Sequence, residues 1–286
     1  MRALVHSGGG AKGAWGAGVI KYLLGDLQKT YDIFCGVSAG AINSAFLSQY
    51  KLGEEKEAAN TLYDLWLQLD SSKIYKRWFP FGKGHVLWKQ SFFDSSPLHH
   101  LIKSIIDVNR IKKSGKLVSV GTVSLSSGKY TIFNQDADHF LEAIIASASF
   151  PVMFSPVKFM DQFWSDGGIK EMSPIKRAID LGADEIDIII TSPYTRVKKF
   201  LEKPTIIDIL KRSLDLSTDK IIANDIEKIK IHNMMVKAGL SDKKFVKMNI
   251  IRPDFNLIED LLNFDPIKLK EMAEKGYQNA KSKYIM

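Results

Sequence analysis

The chain alternates short apolar runs with longer stretches in which apolar residues recur every three or four positions. A run at residues 2–6 precedes a helical stretch at 11–24, and a run at 31–35 precedes another helical stretch at 41–50. Short bounded runs predict buried strands, and the longer spacing predicts amphipathic helices. Two successive strand–helix units with short connections predict a parallel sheet covered by helices.

The same patterns continue along the rest of the chain. Further strands are predicted at 116–125, 130–133, 152–159, 163–165, 184–191 and 245–251. Further helices are predicted at 54–69, 137–147, 174–181, 205–236 and 266–284. The turn Ser126-Ser127-Gly128 predicts a hairpin between two of the strands. No linker or internal repeat divides the sequence, so we expect a single domain over residues 1–286.

The amino-acid composition is that of an ordinary globular protein and restricts the possible partners and sites only in part. The 286 residues are 45% hydrophobic and 25% charged, as in ordinary globular domains. A net charge of +8 favours anionic partners, either nucleic acid or an anionic lipid surface, or is simply that of a basic globular protein. The single cysteine, Cys35, excludes an intramolecular disulfide and a cysteine-built metal site.

The sequence also bears on whether the protein carries a signal peptide or a membrane-spanning segment. Glycines begin at Gly8, which leaves no room for a signal peptide, and no apolar run approaches the length of a membrane span. These features predict a cytoplasmic protein without a transmembrane segment, although export without a leader would leave the same pattern.

A glycine-rich segment lies between the first predicted strand and the first predicted helix. It is not a P-loop, because Lys12 precedes Gly13 and no Ser or Thr follows. Gly8, Gly10 and Gly13 do satisfy the G-x-G-x-x-G pattern of dinucleotide-binding proteins. That alternative is weakened because the next strand does not end in the acidic residue that holds a ribose.

The second strand-to-helix turn reads Gly36-Val37-Ser38-Ala39-Gly40, a G-x-S-x-G sequence in the context of a nucleophile elbow. Gly36 and Gly40 allow the sharp turn, and Ser38 projects from it as a candidate nucleophile. If the first two strands are neighbours, the Gly8–Gly10 backbone lies beside Ser38. Its N–H groups are then candidates for an oxyanion hole.

A serine nucleophile requires a base, and histidine is the usual one. Only His232 follows the candidate acid in the order expected for a standard triad, and it lies in an amphipathic helical stretch. Asp166, Gly167 and Gly168 instead form an open turn after a predicted strand. Burial beside apolar residues raises the proton affinity of a carboxylate, so Asp166 is a candidate base. An ordinary β-turn remains the alternative for this sequence.

Four motifs occur here in a characteristic order: Gly8-Gly-Gly-Ala-Lys-Gly13, Gly36-Val-Ser-Ala-Gly40, Ala146-Ser-Ala-Ser-Phe-Pro151 and Asp166-Gly-Gly168. Together they resemble the patatin-like phospholipase family over residues 3–192. The resemblance implies a three-layer α/β/α sandwich with a mostly parallel central sheet, with Ser38 as nucleophile and Asp166 as base. It also implies an oxyanion loop formed by Gly8, Gly9, Gly10, Ala11, Lys12 and Gly13.

The implied activity is hydrolysis of fatty-acyl esters of membrane lipids through an acyl-serine intermediate, with neither metal nor organic cofactor. A lipid substrate and a peripheral contact with an anionic membrane are expected, and no nucleic acid is. One departure is Glu171-Met-Ser-Pro174, where many members carry an asparagine before the proline. A non-catalytic basic module that binds membranes or nucleic acid on a hydrolase scaffold remains the alternative. Residues 193–286 form an extension of unassigned role.

Two segments have roles that the sequence leaves open. Residues 74–93 mix aromatic and basic side chains, which suits either a membrane interface or a loop packed on the core. The helical stretch at 205–236 suits either a lid or plain structural packing.

Overall fold

The computed structural model describes residues 1–78, 89–193, 204–255, 257 and 261–285. Within these ranges the strands are β1 (Arg2–His6), β2 (Ile33–Gly36), β3 (Lys76–Arg77), β4 (Phe93–Asp94), β5 (Leu117–Ser124), β6 (Tyr130–Asn134), β7 (Val157–Phe159), β8 (Gln162–Asp166), β9 (Glu185–Ile189) and β10 (Lys247–Ile251). The helices are α1 (Gly13–Ile20), α2 (Ala39–Leu47), α3 (Glu55–Leu67), α4 (Ser71–Ile74), α5 (Ser96–Ile105), α6 (Val108–Ser114), α7 (Phe140–Ser147), α8 (Ile175–Asp180), α9 (Ile206–Lys237) and α10 (Pro266–Ile285).

The central sheet has the strand order β10-β9-β1-β2-β5-β8-β7, and β6 also pairs with β5. The strands from β10 to β5 are parallel. The pairs β5–β6, β5–β8 and β7–β8 are antiparallel. The expected mostly parallel sheet is confirmed. Because β1 and β2 are neighbours, the loops at their carboxyl ends lie side by side.

Both faces of the sheet are covered, which makes the architecture a three-layer sandwich. Along β1, Leu4 packs into one apolar cluster while Ala3 and Val5 pack into another. In β2, Phe34 packs into the same cluster as Leu4, and Cys35 packs into the same cluster as Ala3 and Val5. Strands buried on both faces read as continuous apolar runs instead of alternating ones. The larger layer contains α1, α2, α3, α5, α7 and α10, and the smaller layer contains α8 and α9.

Helix α10 lies directly against α1, although its sequence is largely polar. A Cβ added at Gly18 would lie 1.9 Å from the carbonyl oxygen of Ala273, and one added at Gly276 would lie 2.0 Å from that of Trp15. The indole Nε1 of Trp15 donates to Oδ1 of Asn279 at 3.2 Å. The two helices therefore approach with backbone against backbone, which only glycine allows at these crossings.

A buried carboxylate in β9 links the residues that precede β2 to β10 and to α10. Asp187, in β9, accepts hydrogen bonds from Lys29 and Tyr31 at 2.8 and 2.6 Å and from Asn249 and Tyr284 at 2.9 and 3.0 Å. Burial acts to raise the pKa of Asp187, but the bonds from Lys29, Tyr31 and Asn249 outweigh it, so the pKa lies below its ordinary value. The network therefore stabilises the charged form.

Two predicted elements differ from the structure. The strand predicted at 152–159 forms only over Val157–Phe159. Val152 has a positive φ of 70°, which is incompatible with an extended strand. The helix predicted at 11–24 is a short 3₁₀ turn followed by α1 and a π-helical stretch at Lys21–Asp26. Within the described ranges, no helix combines the length and the apolar character that crossing a bilayer requires.

Candidate active site

Ser38 lies between β2 and α2 on a strained turn. Its φ of +58° falls in a region that non-glycine residues rarely occupy. A Cβ at Gly40 would lie 2.2 Å from the carbonyl oxygen of His6, and one at Gly36 would lie 2.1 Å from that of Gly40. Any side chain at either position would force the backbone apart. The close approach of the backbone therefore requires glycine at both positions, as the G-x-S-x-G pattern of the predicted elbow indicates.

The start of the glycine-rich loop contacts the elbow. A Cβ at Gly8 would lie 3.0 Å from the Cβ of Ser38, so the two backbones are in close contact. Thr191 holds the loop, because its Oγ1 donates to the carbonyl oxygen of Gly8 at 2.6 Å. Within the described residues, the N–H groups of Gly9 and Gly10 meet no acceptor. An oxyanion hole requires N–H donors that are free to bond a ligand, so these two groups remain its candidates.

The rest of the predicted oxyanion loop uses its N–H groups internally. The N–H of Ala11 donates to the carbonyl oxygen of Leu261 at 2.8 Å, and that of Lys12 donates to Gly9 at 3.1 Å. The N–H of Gly13 donates to carbonyl oxygens of the preceding 3₁₀ turn. The side chain of Lys12 is buried, with 5% of the residue exposed. The donors available to a ligand are therefore at the beginning of the loop.

Asp166 ends β8, and its carboxylate lies near enough to the Ser38 side chain for the serine to act on its pKa. Oδ1 of Asp166 also accepts the N–H of Gly168 at 2.8 Å. Burial raises the pKa of Asp166 to about 7, against the opposing effects of the Gly168 N–H and the nearby Ser38 side chain. A Cβ at Gly167 would lie 2.5 Å from the carbonyl oxygen of Gly121, so the turn packs tightly on β5.

One segment holds the backbones of both residues, and sequence reasoning missed its role. Oγ of Ser147, at the end of α7, accepts the N–H of Ser38 at 2.9 Å and donates to Gly121 at 2.7 Å. The carbonyl oxygen of Ser149 accepts the N–H of Asp166 at 3.1 Å. The motif at 146–151 signalled that this segment matters, but its function became visible only from these bonds.

The turn after Asp166 is supported from α9. Where the resemblance led us to expect an asparagine, Met172 and Ser173 donate their backbone N–H groups to Oδ2 of Asp225, each at 3.2 Å. Asp225 lies 53 positions beyond Met172 in the sequence. No local pattern indicates such a contact, so this support was not predicted.

A groove of about 450 Å³ lies beside the base turn. Ser165, the residue before Asp166, lines it. Its apolar walls are Leu125, Pro151, Val152, Phe154, Pro156 and Phe163. Leu125, Val152 and Phe163 are 49%, 47% and 38% exposed, so the groove is open to solvent. A groove of this size and character suits a flexible apolar ligand.

The histidines of the described residues form no hydrogen bond with Ser38. His232 bonds through Nε2 to the carbonyl oxygen of Lys244 at 3.1 Å. His6 lies beneath the elbow, with Nδ1 bonded to the carbonyl oxygen of Ser7 and Nε2 to Asn43. Burial lowers the pKa of His6 to about 4, so it is neutral near pH 7. The described residues also contain no group of three or more His, Cys, Asp or Glu side chains that could hold a metal ion.

The segment at 74–93 falls partly outside the described residues, which omit 79–88. At its flanks, the ring of Tyr75 packs against those of Phe93 and Phe154 at 4.5 and 6.3 Å between centroids. The indole of Trp78 donates to the carbonyl oxygen of Ser91 at 3.1 Å. The described flanks therefore pack onto the core, and a membrane-facing role for 79–88 stays a prediction.

A mostly parallel α/β/α sandwich with a serine at a strand-to-helix elbow defines a class of α/β hydrolytic enzymes. The patatin-like phospholipase family matches residues 4–179, which is more than half of the chain. The chain therefore belongs to the patatin-like phospholipase family, and it is a lipid-hydrolysing enzyme.

Individual proteins similar to this chain are distant in sequence. "Probable lipid hydrolase 463L" of Invertebrate iridescent virus 6 is 24% identical over 268 residues, 87% of this chain and 92% of that protein. "Uncharacterized protein YjjU" of Escherichia coli is 24% identical over 67% of this chain and 52% of its own length. The crystal structure of VipD from Legionella pneumophila is 13% identical, with a TM-score of 0.45, over 98% of this chain and 66% of that one.

Proposed function

We propose that the protein hydrolyses fatty-acyl esters of membrane lipids by a Ser38–Asp166 dyad and a covalent acyl-serine. The nearness of the Ser38 side chain to the buried Asp166 carboxylate, close enough to act on its pKa, carries this proposal. A base must be within hydrogen-bond reach of the proton that it takes, and its pKa should lie near the working pH. Asp166 lies near Ser38 and has a pKa raised to about 7, which supports its role as the base.

In the acylation step, Asp166 takes the hydroxyl proton as the Ser38 oxygen attacks the ester carbonyl carbon. The negative charge that forms on the carbonyl oxygen faces the N–H groups of Gly9 and Gly10 and the first turn of α2. The protonated Asp166 then donates to the leaving alcohol oxygen as the carbon–oxygen bond of the ester breaks, which leaves an acyl-serine.

In the deacylation step, Asp166 takes a proton from water as the water oxygen attacks the acyl-serine carbonyl. The second oxyanion uses the same N–H donors. Its collapse returns the proton to Ser38 and releases a fatty acid. The two steps consume one water and need no metal or organic cofactor.

The apolar groove and the charge of the chain support a lipid substrate at a membrane surface. Ser165, the residue before Asp166, lines the groove, and its apolar walls suit an acyl chain. The net charge of +8 favours approach to anionic lipid. We infer a peripheral encounter with the membrane, with phospholipid, lysophospholipid, galactolipid or neutral lipid as the acyl donor.

Mass spectrometry of products from mixed phosphatidylcholine and phosphatidylglycerol vesicles tests the proposal. The wild-type protein is expected to release free fatty acid, and Ser38→Ala and Asp166→Asn are expected to lower that rate by roughly a thousandfold or more. A fluorophosphonate probe is expected to label the wild type at Ser38. Release of fatty acid by both variants at the wild-type rate would refute the dyad, and an unlabelled, inactive wild type would favour the non-catalytic module.

A further inference from the structure

The turn that follows the candidate base is held by a helix far away in sequence. Asp225 lies in the middle of α9 and is only 6% exposed. Its Oδ2 accepts the backbone N–H groups of Met172 and Ser173. Its helix neighbours Ile222 and Ile226 are buried in the smaller layer. Asp225 is thus fixed on a packed helix face, and it anchors the backbone at Met172.

The side chain of Met172 lies between the two halves of the candidate site. A Cβ at Gly8, beside Ser38, would lie 2.7 Å from Sδ of Met172. A Cβ at Gly168, two residues after Asp166, would lie 2.9 Å from Cε of the same methionine. One thioether therefore packs against both the glycine-rich loop and the base turn.

We propose that Asp225 is a positioning residue for the ester hydrolysis proposed above. By holding the backbone of Met172, it keeps the Gly8 loop and the Asp166 turn at the separation that places Asp166 near the Ser38 hydroxyl. Loss of this anchor lets the methionine and the turn shift, and a displacement of about 1 Å at a catalytic group can cost about a hundredfold in rate. The inference rests on the proposed function.

The charges around Asp225 indicate which property of its side chain matters. Nζ of Lys228, itself largely exposed, lies 3.8 Å from Oδ1. Burial, and then the neighbouring Asp225, raise the pKa of Glu171 to about 7, while Lys228 and Lys176 oppose the shift and Asp180 adds to it. Burial raises the pKa of Asp225 itself to about 6. Because the negative charge is disfavoured here, the oxygen that accepts two N–H groups is the essential property, and asparagine supplies the same oxygen.

The test compares Asp225→Ala, Asp225→Asn and a matched control, Glu227→Ala, at an exposed site on the same helix. The measurements are kcat and KM for a soluble acyl ester and the rate of fluorophosphonate labelling at Ser38. Asp225→Ala is expected to lower kcat and the labelling rate by about tenfold or more, with KM changed less than about twofold. Asp225→Asn is expected to restore most of both rates, and Glu227→Ala is expected to match the wild type.

A second variant keeps the test decisive if Asp225→Ala fails to fold. Met172→Ala removes the thioether and leaves the Asp225 side chain in place, and the same kcat-selective loss is expected. Wild-type kcat in Asp225→Ala or Met172→Ala overturns the inference, as does a failure of asparagine to rescue. A wild type that neither cleaves the ester nor labels at Ser38 refutes the proposed function instead, so the two failures are distinguishable.

Discussion

Asp166 combines two properties that act against each other in the folded protein. Its burial raises its pKa to about 7, which makes it a stronger base than an exposed aspartate. The same burial disfavours the charged form, so this group's contribution to folding stability is greatest at low pH and is lost as pH rises toward 7. The deprotonated form, which the proposed mechanism requires as the base, is therefore the form that costs stability.

We expect kcat/KM for a soluble acyl ester to depend on pH through this group. The value should fall about tenfold per unit below pH 7, because protonated Asp166 cannot act as a base, and it should level off above pH 7. Measured initial rates between pH 5 and 9 give the profile. A flat profile across pH 6 to 8 would contradict the assignment of Asp166 as the base.

Residues at the site differ in how far the sequence alone could reveal them. Ser38 and Asp166 lie on turns with local glycine patterns, so both could be predicted as site residues from short motifs. Ser147 bonds to Ser38 across 109 positions and Asp225 bonds to Met172 across 53. A hydrogen bond between distant segments leaves no mark on either segment, so these supports require the fold.

At the scale of elements, apolar spacing located most strands and helices but missed α5 and α6, and it did not show how helices pack together. The polar sequence of α10 gave no hint of its close contact with α1, because that contact is made by backbone at Gly18 and Gly276. Glycines in the opening segment therefore serve two purposes. Gly8 contacts Ser38, whereas Gly18 admits a neighbouring helix.

This contact predicts a large difference between two otherwise identical substitutions. Gly276→Ala would place a Cβ 2.0 Å from a backbone oxygen, and the resulting overpacking should cost about 1–3 kcal/mol of unfolding free energy. Gly25→Ala is the matched control, because a Cβ there meets nothing within 4 Å. Thermal unfolding of both variants checks the prediction, and equal melting temperatures would contradict the tight packing.

At the scale of the whole molecule, residues beyond 192 are built into both layers and into the sheet. They supply β10 at the sheet edge, α9 on one face and α10 on the other. The order of the strands could not be read from the sequence, because apolar runs do not specify which strands are neighbours. That residues 1–286 form a single domain stays a prediction.

The hydrogen bonds of Asp187 join β10 and α10 to the rest of the fold, and their contribution to the free energy of unfolding can be measured. Asp187→Ala would leave Lys29 largely buried without its partner, and removing one member of a buried ion pair costs about 3–5 kcal/mol of unfolding free energy. Asp184→Ala is the control, since Asp184 pairs with the N-terminal amine at an exposed site and should have little effect. Denaturant unfolding of both variants provides the comparison, and a loss no greater for Asp187 would show that the network adds little.

The pairing of α1 with α10 also orders events during synthesis. Trp15 and its partner Asn279 are 264 residues apart, and ribosomes add about 5–20 residues each second. Asn279 follows Asp166 by 113 residues, so for roughly 6–23 seconds the nascent polypeptide contains both candidate catalytic residues while α1 still lacks its cover. Helix α1 can therefore gain its cover only after α10 has been synthesised, later than both candidate catalytic residues.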